Sequence, residues 1–256
     1  MHVFPRLVNL SLPKTASTSI AELFSSYNAV HEGFHKQSVN YIIDYYEKKL
    51  TCKQLNFFIL RRQKLLQIRI DSSTFLHLIA KELEDLWPSQ TSFFQIIREP
   101  CSWILSYLSM LYEYGSDYSS CSDSDESKWS YRYGQFQVPG MDPVHLFRKI
   151  DNDEYIFYLI EGLACYWIRY TLHVQKSIHP KRLHVYFLSD INDHWSRLAQ
   201  AAGLPNDLRL VPRKENISRA RPSAKKKLRN HFLNTLDRSV QLEKASTLFK
   251  SLRNSY

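Results

Sequence analysis

With 256 residues, 44% of them hydrophobic, the chain is long enough to bury one sizeable α/β core. No stretch reaches the ~18 uninterrupted apolar residues of a membrane span, and a strand-like LVNLSL follows soon after Met1, so neither a spanning helix nor a cleaved leader is expected. The four cysteines, at 52, 101, 121 and 165, have no metal or redox spacing, while the net charge of +9 asks for an anionic partner: nucleotide, polyanionic glycan, membrane surface or nucleic acid.

Residues 7–24, LVNLSLPKTASTSIAELF, begin as an apolar run of strand length, cross a polar turn and enter a pattern of helical period. A strand, tight turn and helix in that order make an anion site. The turn aims backbone N–H groups and the hydroxyls of Thr15, Ser17, Thr18 and Ser19 at the positive end of the helix, with Lys14 beside them. Taken singly, each hydroxyl is equally well explained as a helix cap. Next, YNAVHEGFHK (27–36) reads as a second short strand ending in polar residues, and VNYIIDYYEKKL (39–50) as a helix. LNFFILRRQKLLQIRI (55–70) fits either one helix or a strand, a helix and a third strand fragment. TFLHLIAKELEDLW (74–87) has the period of an amphipathic helix, and Asp71, Ser72 and Ser73 before it either border a site or cap that helix.

A second strand, turn and helix follow in FFQIIREPCSWILSYLSML (93–111), with Arg98 at the strand end and Ser106 eight residues later; this helix is expected from Cys101 to about Tyr114. One ligand with two separated phosphates would satisfy both turns. Residues 115–143 then lose their period and are rich in Ser, Asp and aromatic residues, which predicts a long substrate-side loop or lid against a bland alternative of disorder. Residues 154–178 read as a helix, LHVYFL (183–188) as a buried strand, and PRKENISRARPSAKKKLR (212–229) as a basic loop leading into a helix. Strands alternating with helices predict an α/β fold: a central parallel sheet flanked by helices, one domain over 1–256, with the polar turns at the carboxyl edge.

These segments carry a family resemblance. PKTASTSI (13–20) resembles the 5′-phosphosulfate loop of sulfotransferases that use 3′-phosphoadenosine-5′-phosphosulfate (PAPS), and IIREPCSWILSYL (96–108) resembles their 3′-phosphate segment. The stretches 70–94 and 183–205 match more thinly. The resemblance implies a P-loop NTPase-like sulfotransferase fold, PAPS as co-substrate with no metal, and a nucleotide held by Lys14, Thr15, Ala16, Ser17, Thr18, Ser19, Arg98 and Ser106. Ala16 stands where the family commonly has glycine, so the turn must form without the residue that accepts positive φ freely.

Lys14 corresponds to the family's catalytic lysine, which neutralises the leaving phosphate. The general base is expected to be Glu32, with His31 and His35 as alternatives. The resemblance also implies a basic loop closing near the C-terminus, with Arg213, Lys214 and Arg221 as the positions to watch, and, because no anchor segment is seen, a soluble cytoplasmic protein. The acceptor stays open among carbohydrate, lipid and small molecule. Two other classes stand beside this one. An inactive nucleotide-binding relative would keep the same turn, and a nucleic-acid-binding module would use the basic segment at 212–229. A nucleotide kinase is excluded by the missing G-x-x-x-x-G-K-[ST] spacing.

Overall fold

In the computed structural model, which describes residues 4–118, 125–204, 222–236 and 238–256, the elements run in the following order. They are β1 (Leu7–Asn9), α1 (Ser17–Leu23), β2 (Ala29–Val30), α2 (His35–Tyr46), α3 (Cys52–Leu66), β3 (Ile70–Asp71), α4 (Ala80–Leu86), β4 (Ser92–Ile97) and α5 (Pro100–Tyr118), then α6 (Asp125–Gln137), α7 (Pro143–Arg148), α8 (Asp153–Ser177), β5 (Leu183–Phe187), α9 (Trp195–Ala201), α10 (Pro222–Leu236) and α11 (Val240–Ser255). The strands form one sheet in the order β2-β3-β1-β4-β5, and every pairing is parallel. This is the α/β architecture expected, a parallel sheet flanked by helices. Among the described residues no helix is long and apolar enough to cross a membrane.

The chain divides into two compact units, Met1–Arg98 with Tyr170–Asn216 and Tyr256, and Glu99–Arg169 with Ile217–Ser255. In the first, alternation along the strands sends Leu7, Ile70, Phe94, Ile96 and Tyr186 to one face, where Ile20 and Phe24 of the α1 segment and Trp195 and Leu198 of α9 close a buried core. On the opposite face Trp87 stacks on Phe93, and Gln95 donates to the Thr171 carbonyl at 3.3 Å. The connection from β1 leaves toward β2 on one side, whereas that from its neighbour β4 leaves toward β5 on the other. The crevice outside the carboxyl ends of β1 and β4 is therefore the switch point, where open α/β sheets bind ligands.

The ambiguous stretch 55–70 is one helix plus a two-residue strand. Thr51 and Gln54 form a capping box that starts α3: the Thr51 hydroxyl accepts from Gln54 N–H at 3.3 Å and Gln54 Oε1 accepts from Thr51 N–H at 2.9 Å. Arg62 on α3 is buried, at 2% exposure, and donates from both terminal nitrogens to Asp71, from Nη2 to Ser73 Oγ at 2.8 Å and from Nε to the Gly33 carbonyl at 2.9 Å. Asp71 is thereby spent on the fold rather than bordering a site.

Other expectations shift. The second strand stops at Val30, because Glu32 and Phe34 both take positive φ, and α2 starts at His35 rather than 39. Residues 74–79 form a 3₁₀ turn ahead of α4. Most of residues 115–143 that the structure describes are helical rather than loop: α5 continues to Tyr118 and α6 fills 125–137, with 138–142 as a short connection to α7. Gly115 and Gly134 mark close packing within the second unit, since a Cβ at Gly115 would meet the Pro143 carbonyl oxygen at 1.9 Å and one at Gly134 the Met141 carbonyl oxygen at 2.6 Å. Arg213, Lys214 and Arg221 lie outside the described residues.

Candidate functional site

The turn between β1 and α1 is built from alternating backbone hands. Lys14 has φ 64° and Ala16 φ 66°, with Thr15 between them on the ordinary side, the sign alternation that turns successive N–H groups toward one side. Ala16 thus takes the left-handed conformation that glycine would adopt freely, at a cost of ~1–2 kcal/mol for a residue with a Cβ. The first intrahelical bond of α1 runs from Ile20 N–H to Ala16 O at 3.0 Å, so the N–H groups of Ser17 and Thr18 have no acceptor within the helix. Thr15 is buried and its hydroxyl donates to Leu12 O at 2.5 Å; Ser17 is buried, while Lys14, Thr18 and Ser19 are half-buried. α1 is only seven residues long, so the capacity for an anion rests on the turn's amides and the neighbouring cations rather than on a long helix dipole.

Arg98, at the end of β4, donates from Nη1 to the Lys14 carbonyl at 3.1 Å. That bond joins the two turns the sequence singled out, across the switch point between β1 and β4. The next residue, Glu99, caps α5: its carboxylate accepts from Cys101 N–H at 3.0 Å and Ser102 N–H at 2.7 Å. Burial raises the Glu99 pKa, but those amides outweigh it and hold the carboxyl below its ordinary range. Ser106 lies half-buried on α5, in the second unit.

A buried polar lattice fixes the carboxyl edge of the sheet. Asn9 Oδ1 accepts from Ser11 N–H at 2.8 Å, and Ser11 Oγ accepts from Ile96 N–H at 2.7 Å. Ser72 donates its hydroxyl to Ser17 O at 2.7 Å and accepts from Asn9 Nδ2 at 3.2 Å. Asn9, Ser11 and Arg62 are the ones sequence reasoning missed. The signal for Asn9 and Ser11 was present as two polar residues spaced i, i+2 in the otherwise apolar LVNLSL.

His31 and Glu32 occupy a turn after β2 and face different partners. His31 Nδ1 lies 3.2 Å from the Ser72 carbonyl, which only accepts, so this nitrogen carries the proton in the neutral ring. Nε2 is then the basic nitrogen, and the Thr18 hydroxyl donates to it at 3.1 Å. Glu32 is engaged on both oxygens: Oε1 accepts from Thr74 N–H at 3.0 Å and Thr74 Oγ1 at 2.5 Å, and Oε2 pairs with His35 Nδ1. Burial pushes its carboxyl up, but the His35 and Thr74 hydrogen bonds and the neighbouring imidazoles prevail and bring the pKa to about 2. The structure therefore brings Lys14, Thr15, Ala16, Ser17, Thr18, Ser19, His31 and Arg98 together at one sheet edge, and turns Glu32 toward Thr74 and His35.

No family model matches the chain, and no curated protein matches it by sequence. Among solved structures, a sulfotransferase from Alicyclobacillus acidocaldarius is similar over 95% of this chain and 96% of that one, with a TM-score of 0.45 and 10% sequence identity.

Two expectations follow. Unfolded, Glu32 titrates near 4.5, and folded near 2, so its contribution is fully present above pH 4.5 and on the order of 3 kcal/mol of stability is lost as pH falls from 4.5 to 2. Urea unfolding across that range will show a shallower acid slope in Glu32→Gln than in the wild type. Ala16→Gly relieves the left-handed strain while freeing the unfolded chain, for a net gain of about 0.5–1 kcal/mol, read as a higher urea midpoint.

Proposed function

We propose that the chain is a PAPS-dependent sulfotransferase, acting as one domain in the cytoplasm on a hydroxyl or amine of a carbohydrate, lipid or small molecule. The observation that carries this reading is the Arg98 to Lys14 bond at 3.1 Å, which couples a turn suited to one phosphate with a cation suited to another. The residues of the first unit fit the nucleotide: the Ser17 and Thr18 amides, which have no acceptor within α1, with half-buried Lys14, Thr18 and Ser19 on the 5′ side, and half-buried Arg98 on the 3′ side; the family resemblance alone adds Ser106 as a further 3′-phosphate ligand.

PAPS supplies the sulfuryl group when bound. Lys14 meets the negative charge that develops on the leaving phosphate. His31 Nε2 takes the acceptor's proton, with Nδ1–H anchored on Ser72 O so that the basic nitrogen faces Thr18. Glu32, the base expected from sequence, has both oxygens occupied and a pKa of about 2, which suits it better to holding the loop than to accepting a proton at neutral pH. An inactive nucleotide-binding relative is the second reading, favoured by the strained Ala16.

Calorimetric titration with 3′,5′-bisphosphoadenosine tests the site. Saturable micromolar binding that Arg98→Ala or Lys14→Ala weakens roughly ten- to a hundredfold is expected; an absence of binding by the wild type would refute the reading. With labelled PAPS and an acceptor panel, His31→Ala is expected to lower kcat by ~10²–10⁴ with the bisphosphate Kd unchanged. Binding without transfer to any acceptor in the panel would select the inactive relative.

A further inference from the structure

β5 is the edge strand of the sheet, and along its amino-terminal half, on the face covered by α9, lies a cavity of about 580 Å³. Its walls come from the turn before β5 (Lys181), from β5 itself (His184, Tyr186), from the start of β4 (Ser92) and from α9 (Arg197, Gln200), with no carboxylate among the lining residues. That volume falls within the range that holds small ligands.

The disposition of the basic residues is selective. Arg182, next to Lys181, is absorbed by the fold: it donates to the carbonyls of Thr91, Glu84, Trp87 and Pro88, pairs with Glu84 at 3.1 Å and lies over the Phe93 ring at 4.9 Å. Lys181 and Arg197 are exposed, and neither side chain takes part in a hydrogen bond or ion pair among the described residues. They reach the cavity from two different elements. Between them His184 is half-buried, its pKa lowered by burial, so at neutral pH it is a hydrogen-bonding imidazole rather than a third charge. Two cations unpaired among the described residues, a neutral imidazole and an amide around a hollow without acids match a tetrahedral oxyanion, whose oxygens accept from every one of these donors.

We infer that the groove between β5 and α9 is a second anion site, taking the phosphate or sulfate monoester of a small ligand through Lys181, Arg197, His184 and Gln200. It uses none of the residues of the switch-point turn, so it stands whether or not that turn holds PAPS.

Titration of the full-length, amide-labelled protein with inorganic phosphate and, separately, inorganic sulfate, followed by NMR, tests it. Saturable shifts at His184, Tyr186, Arg197 and Gln200 are expected, with affinity reduced about tenfold in each of Lys181→Ala and Arg197→Ala. Saturation by both ions assigns the site to tetrahedral oxyanions in general, and saturation by phosphate alone to phosphate esters. Shifts confined to residues 13–19, affinity unchanged in both variants with native-like spectra, or no saturable shift at all would overturn the proposal. A failure here leaves bisphosphate binding at the other edge unaffected, and the reverse.

Discussion

Every polar atom of Ser72 is committed to a different piece of chain. Its N–H donates to Val30 O at 2.8 Å, its hydroxyl donates to Ser17 O and accepts from Asn9, and its carbonyl accepts from His31 Nδ1. One fully buried residue at the end of β3 thus sets β1, α1, β2 and the His31 turn in register with one another. Because a buried donor or acceptor left without a partner costs about 1–3 kcal/mol, the lattice tolerates little slack, and the turn it supports inherits that rigidity. The tautomer of His31 is set by the same residue.

Rigidity is what a left-handed alanine requires. Positive φ at Lys14 and Ala16 stores strain that only the surroundings can hold, and such strain gathers where backbone groups must be presented in a particular direction. Arg62 supplies a second brace from below. Its guanidinium fastens Asp71 and Ser73 at the end of β3 and the carbonyl of Gly33 after β2, so the loop bearing His31 and Glu32 is held from both ends. Removing one partner from so buried a pair leaves a charge without compensation, which is why the Arg and the Asp are best regarded as a single unit. Glu32 completes the frame by capping the 3₁₀ turn at Thr74.

Much of this was legible in the sequence where period and polarity changed together. The passage from LVNLSL through PKTASTS into IAELF, and from FFQII through REP into an amphipathic run, located both turns and the strands before them. Residues serving as braces were less visible. Arg62 sits in RRQK, where a basic residue on a helix ordinarily means a solvated face, and only the pairing of α3 with the end of β3 makes it internal. Ser72 read either as a site border or as a helix cap, since serine before a helical pattern is often a cap. The base assignment went to Glu32 on the premise that a strand delivered it. The strand is two residues long, and positive φ at Glu32 directs the carboxylate to Thr74. Around 115–143, Gly115 faces the backbone at the start of α7 and Gly134 the backbone of Met141, and the sequence records the missing Cβ but not what approaches it.

The central claim is that the turn at 13–19 and Arg98 together bind a nucleotide bearing two phosphates. Its most direct test is a crystal structure of the protein with 3′,5′-bisphosphoadenosine. One phosphate within hydrogen-bonding distance of the amides of residues 15–18, and the other on the Arg98 guanidinium, would agree with the account. Density for the nucleotide at any other place, with the turn and Arg98 untouched, would contradict it.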